Sequence, residues 1–248
     1  LSEGAPEGRV YSYKKEGGVA HEIEVHFPKD HDRNKSVPGI IMFHGGGWSK
    51  GDRISFRYLC HYFASRGLVA ATANYRLGKG KRLCITDGKS AIRWFKQNAA
   101  KLGVDPKRII AGGGSAGGHI ALLATTNPGL NDPNDSKEYD TSVVAYLLFN
   151  PALKPKKDME VTFEKHIKAS MPPMIAFWGT KDNWLTGWKS ACEKMQSLEN
   201  ESIEWWTAQG QSHAFFKKQP WKDLTIMAAD QFLKKHGLIE GEVTLPTP

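Results

Sequence analysis

Apolar and polar residues alternate along residues 10–15 (VYSYKK) and 20–27 (AHEIEVHF), on either side of Gly17–Gly18. A period of two turns one face of a strand inward and the other toward water, so this stretch predicts two half-exposed strands joined at the glycines. The pattern then changes. Residues 38–43 (PGIIMF) and 68–75 (LVAATANY) are unbroken apolar runs, as expected of strands buried on both faces. Further strands are predicted at 107–112, 143–149 (VVAYLLF), 173–178 (PMIAFW) and 202–207. Helical patterns fill the gaps at 54–66, 86–103, 115–125, 186–199 and 220–236. In the second of these, Ala91, Trp94, Phe95 and Ala99 recur at helical spacing and Gly103 is placed to cap the end. Strand followed by helix, repeated over this length, implies a mostly parallel eight-stranded sheet with helices on both faces. Residues 127–142 and 150–170 interrupt the rhythm as loop insertions. The reading is one α/β domain over 1–248, with 240–248 as a loose C-terminal tail.

Composition changes little. The chain has 248 residues, 40% hydrophobic and 24% charged, and no apolar run near the roughly 20 residues a membrane span needs. It begins at Leu1, which suggests a processed or truncated form. The net charge of +8 is spread through short lysine groups such as KPKKD and FFKKQP, with no basic arm and no aromatic RNA-binding signature. A solvated surface is expected, leaning toward acidic surroundings, with no nucleic-acid partner. Cys60, Cys84 and Cys192 lie far apart and leave room for one bridge at most. No histidine pair has metal-ligand spacing, so no metal and no cofactor are expected.

Candidate chemistry centres on "GGSAG" at 113–117, which fits G-x-S-x-G between a predicted strand and a predicted helix. A nucleophile on such a turn has strained backbone, and its neighbours must be small. A phosphate loop would need a following lysine, and a dinucleotide loop would sit after the first strand. Neither condition is met, so Ser115 is the expected nucleophile. "HGGGW" at 44–48 follows the third strand. Its glycine N–H groups, together with the N–H after the serine, suit a site for a tetrahedral oxyanion. Gly46, Gly47 and Ala116 are the expected donors, with Gly45 as the register alternative, and His44 is expected to brace the loop.

A serine needs a base and the base an orienting carboxylate, expected in that chain order after the serine. Asp182 follows the strand at 173–178, and His213 follows the strand at 202–207. Both fall at carboxyl ends of strands, where open α/β sheets bind ligands. Asp87, Asp105 and Asp158 are read instead as helix starts, caps and solvated groups, and His236 as a helix-end cation. Trp48, Trp184 and Phe215, with Trp188 and Phe216 nearby, flank the expected pocket. Trp178 and the Trp205–Trp206 pair lie on strands and are assigned to the core or a sheet face.

These motifs, with "NYRLG" (74–78), "AIRWFKQNAAKLGVDPKRI" (91–109) and "GSAGGH" (114–119), resemble the α/β-hydrolase fold. They are similar to the H-G-G-G esterases related to hormone-sensitive lipase, in the branch with bacterial feruloyl and acetylxylan esterases and formamidases. The resemblance covers nearly the whole chain and implies a Ser-His-Asp carboxylic ester hydrolase without metal or organic cofactor. Two features depart from that pattern. Only about 36 residues precede the third strand and read as strands, which implies little or no cap domain and an open pocket. The acid loop "TKDNW" lacks the usual D-x-[LVI]. The expected activity is hydrolysis of short-chain acyl esters, acetyl or feruloyl groups on carbohydrate among them. The alternatives are an arylformamidase-like amidase and a catalytically idle ligand-binding relative. A polysaccharide substrate would suit a secreted or periplasmic protein; a cytoplasmic one is the alternative.

Overall fold

A computed structural model describes residues 5–154, 158–200 and 202–245. The alternating N-terminal segments form an antiparallel hairpin, β1 (Arg9–Glu16) and β2 (Val19–His26). The apolar runs that follow are β3 (Val37–Phe43), β4 (Val69–Ala73), β5 (Val104–Gly114), β6 (Ala145–Phe149), β7 (Met174–Gly179) and β8 (Ile203–Ala208). They join the hairpin in one eight-stranded sheet of order β1-β2-β4-β3-β5-β6-β7-β8, in which only β2 runs against its neighbours. This is the α/β-hydrolase architecture.

Continuous apolar strands are needed because both faces are covered. On β3, Ile41 and Phe43 point to one core and Ile40 and Met42 to the other, all fully buried. Each such side chain contributes about 1.5–3 kcal/mol by leaving water. Helices α1 (Arg57–Ser65) and α6 (Trp221–Lys235) cover one face. The other is covered by α2 (Lys81–Gln97), α4 (Ala116–Thr126) and α5 (Leu185–Ser197), with the short α3 (Ala99–Leu102) ending at Gly103 in the left-handed conformation.

Several expectations are corrected. Helix α2 begins five residues before the predicted start, so Asp87 is not at a helix end. It is fully buried inside α2, paired with Arg76 at 2.7 Å and Lys14 at 3.0 Å. Those cations come from β1 and the loop after β4, and local sequence carries no sign of them. The tail is less loose than expected. Arg66 Nη2 donates to Gly241 O at 3.2 Å, Lys234 pairs with Glu242 at 2.7 Å, and Leu245 packs on the core. Residues 246–248 lie outside the described ones. All three cysteines are buried and free. The strand tryptophans divide as core and sheet face: Trp178 is buried, and Trp205 and Trp206 lie on edge strand β8, 37% and 54% exposed. No helix of the described residues is long and apolar enough to cross a membrane.

Candidate active site

The glycines around Ser115 make space for a backbone that few residues tolerate. Ser115 has φ 53° and ψ −116°, a strained turn between β5 and α4 that puts its hydroxyl beyond the sheet edge. Crowding explains the small neighbours. A Cβ on Gly113 would lie 2.5 Å from Phe43 O, and one on Gly117 would lie 1.9 Å from the same oxygen. Helix α4 can therefore begin directly against β3 only without side chains at these points.

Two loops bring the partners. After β7, Asp182 N–H donates to Gly179 O at 3.0 Å, closing a tight turn that buries the carboxylate. Its Oδ1 accepts the Trp184 N–H at 2.9 Å, leaving Oδ2 to accept from His213 Nδ1 at 2.7 Å. After β8, His213 Nε2 lies 2.8 Å from Ser115 Oγ. The protonated Nδ1 facing Asp182 leaves Nε2 as the acceptor of the serine proton. Ser115, His213 and Asp182, 98 and 31 residues apart in pairs, thus meet in one hydrogen-bonded chain. A nucleophile, base and orienting acid in that order can perform acyl transfer.

Beside Ser115 lies the loop after β3. Gly46 (φ 122°) and Gly47 (φ 62°) take positive φ, and a Cβ on Gly46 would sit 1.9 Å from Lys50 O. Among the described residues no hydrogen bond occupies the N–H groups of Gly46, Gly47 or Ala116. Gly45 also lines the pocket. His44 has the bracing place expected of it. Its ring stacks on Tyr75 at 4.3 Å, its Nδ1 donates to Gly45 O at 2.7 Å, and Tyr75 Oη donates to His44 O at 2.8 Å. Burial holds its pKa below the ordinary histidine value.

The pocket over Ser115 has a volume of about 350 Å³ and is lined by Trp48, Trp184, Ala152, Phe216, Lys50 and Lys217 beside the residues above. Trp48 and Trp184 meet edge to face at 6.3 Å. Phe215 is corrected: it turns away, buried against Phe216 and Trp221, and its neighbour Phe216 lines the pocket. Trp188, on α5, is fully buried in the core. A larger polar cavity of about 610 Å³ lies away from Ser115, between α2 and residues 125–142. There Arg93 pairs with Asp135 and Lys96 with Asp140. Among the described residues no group of three or more His, Cys, Asp or Glu is placed to hold a metal ion.

Two neighbours were not singled out from the sequence. Asn150, fully buried at the end of β6 with φ 43°, puts Nδ2 at 3.2 Å and 3.3 Å from the two ring nitrogens of His213. An atom so nearly equidistant from both lies over the ring face. Its Oδ1 accepts the Ala214 N–H at 3.2 Å, which fixes the amide's orientation. His119 accepts the Trp48 Nε1–H at Nδ1 (3.3 Å) and bonds Val161 O through Nε2 (2.9 Å), holding Trp48 in the pocket wall. The only sequence signal was position: Asn150 follows an apolar strand, and His119 lies one turn beyond Ser115.

The BD-FAE family model matches residues 23–150. Among solved structures, esterase 2 of Thermogutta terrifontis phosphoramylated by tabun is 35% identical, with a TM-score of 0.91 and 98% of each chain covered. The same thermophilic esterase bound to propionate gives 34% and 0.91, over 96% of this chain and 97% of that one. The probable carboxylic ester hydrolase LipM of Mycobacterium tuberculosis is 32% identical over 140 residues, 54% of this chain and 32% of LipM. Arylacetamide deacetylase of Bos taurus is 33% identical over 140 residues, 53% of this chain and 33% of that protein. The chain spans about a third of the length of these curated relatives.

Proposed function

The chain belongs to the BD-FAE family of α/β-hydrolase carboxylic ester hydrolases, and from that membership and the geometry around Ser115 we propose that it hydrolyses short-chain carboxylic esters through an acyl-enzyme. The observation that carries the reading is the 2.8 Å contact of Ser115 Oγ with His213 Nε2, beside N–H groups that take no hydrogen bond among the described residues. Ser115 attacks the ester carbonyl while His213 takes its proton. Asp182 keeps the ring in the tautomer that accepts at Nε2 and offsets the imidazolium charge. The N–H groups of Gly46, Gly47 and Ala116 meet the oxyanion. His213 then returns the proton to the leaving alcohol, activates a water, and the acid is released.

Acetyl and feruloyl groups on carbohydrate are the finer reading. The modest pocket volume, the tryptophan walls and the propionate-bound relative support it. Initial rates on p-nitrophenyl acetate, butyrate and octanoate, on acetylated xylan and on methyl ferulate test it, with Ser115→Ala as control. Acetate or the plant esters are expected to lead, and Ser115→Ala to lower kcat by about 10³-fold or more. Near-normal turnover by clean Ser115→Ala protein sinks the mechanism. Similarity to an arylacetamide deacetylase favours a second reading, amide cleavage by the same groups. Comparable kcat/KM on an aryl amide and on p-nitrophenyl acetate would select it.

A further inference from the structure

The walls of the Ser115 pocket carry positive charge and no lining acid. Lys50 and Lys217 stand at its rim, and no Asp or Glu is among the residues that line it. The Asp182 carboxylate lies behind His213 with its oxygens engaged by His213 and the Trp184 N–H. Two more ammonium groups back the aromatic walls: Lys81 Nζ lies 3.8 Å from the centre of the Trp48 ring, and Lys154 Nζ lies 4.7 Å from that of Trp184.

Some lysines elsewhere are matched with acids. Lys14 pairs with Asp87, Lys96 with Asp140, Lys234 with Glu242 and Lys235 with Glu204. Lys50 and Lys217 have no such partner among the described residues. Both side chains are exposed at the mouth of the pocket, and the protein around the Lys217 stem lowers its ammonium's pKa. With no acid lining the site, an incoming anion meets these ammonium groups without a competing carboxylate. Inside a cleft with apolar walls, that attraction is screened less than on open surface.

We propose that this pocket selects esters that carry a second, free carboxylate, with Lys217 as its ion-pair partner and Lys50 adding to the field. The inference rests on the esterase reading above and names its substrate class. The free carboxylate belongs to either the acyl or the alcohol half of the ester, and each half makes its own experiment.

The test measures kcat/KM for two matched pairs: monoethyl succinate against ethyl pentanoate, and 4-acetoxybenzoate against its methyl ester. Ratios of anionic to neutral ester are compared between wild type, Lys217→Met, and Lys189→Met, which removes the same charge from the exposed side of α5. Intrinsic ester reactivity cancels in that comparison. The ratio should fall about three- to tenfold in Lys217→Met for one pair, identifying the half that carries the carboxylate, and hold in Lys189→Met. An unchanged ratio in both pairs overturns the proposal. If Lys217→Met does not fold, the wild-type ratio at about 0.05 and 0.5 M NaCl decides: a several-fold fall supports the ion pair and a flat ratio removes it. Ser115-dependent turnover of the neutral esters is read separately. Its absence sinks the esterase reading itself, whereas its presence with a flat ratio sinks only the choice of anionic esters.

Discussion

Asn150 and Asp182 approach one imidazole from two directions, and the two contacts do different work. Asp182 lies at the edge of the His213 ring at Nδ1, where it fixes the tautomer. Asn150 lies over the face, where its amide packs against the ring and helps to set its tilt toward Ser115. Asn150→Gly tolerates the positive φ and removes both that contact and the oxygen that accepts the Ala214 N–H. The ring is then held from its edge alone. kcat on p-nitrophenyl acetate should fall about tenfold with KM little changed, because a misplaced base is felt in the chemical step more than in binding. Unchanged kcat in folded variant would show that Asn150 only fills space beside the ring.

Element by element, the sequence pattern located all eight strands and most helices, because burial on both faces of a parallel sheet writes long apolar runs. It failed where partners came from far away. The start of α2 at Lys81 and the burial of Asp87 follow from Arg76 and Lys14 converging on that carboxylate. The junction of β5 and α4 was legible because close packing there leaves no room for a Cβ at Gly113 or Gly117. Gly117→Ala tests that account. On propensity alone the change favours a helix by about 1 kcal/mol. The new Cβ would meet Phe43 O at 1.9 Å and His44 O at 2.5 Å, backbone atoms that cannot swing aside. A net loss of about 2–3 kcal/mol is expected from the urea midpoint, with lower kcat because α4 carries the Ala116 N–H. A stabilised variant would mean that α4 has room the structure does not show.

Across the whole molecule, buried charge ties the edge of the sheet to the helix layer. Glu24 on β2 is fully buried. It accepts from Arg57 at 2.7 and 2.9 Å, from the Gly8 N–H at 3.0 Å, and lies 3.0 Å from His26 Nε2. Burial alone would raise its pKa, but these bonds outweigh it and hold the carboxyl far below its usual range. The unfolded chain therefore binds the proton first on acidification. The stability Glu24 contributes is complete above the unfolded carboxylate pKa and is lost as pH falls below it toward the folded value. Glu24→Gln should cost about 3 kcal/mol at pH 7. The gap to wild type should shrink by about 1–2 kcal/mol by pH 3, read from urea midpoints at both pH values. A gap independent of pH would remove the ionised group from the account. The alternating and continuous apolar stretches, and the glycines around Ser115 and after β3, were enough to place the strands and to bring forward Ser115, Asp182 and His213, which the structure joins in one hydrogen-bonded chain. Each rests on local rules of periodicity and steric room that the chain carries in itself. The stacking of Asn150 on His213, the brace of His119 on Trp48, the exchange of Phe215 for Phe216 and the meeting of Lys50 with Lys217 at one pocket depend on side chains from separate loops. Their contacts are set by how those loops pack against one another, and no spacing along the chain encodes that distance.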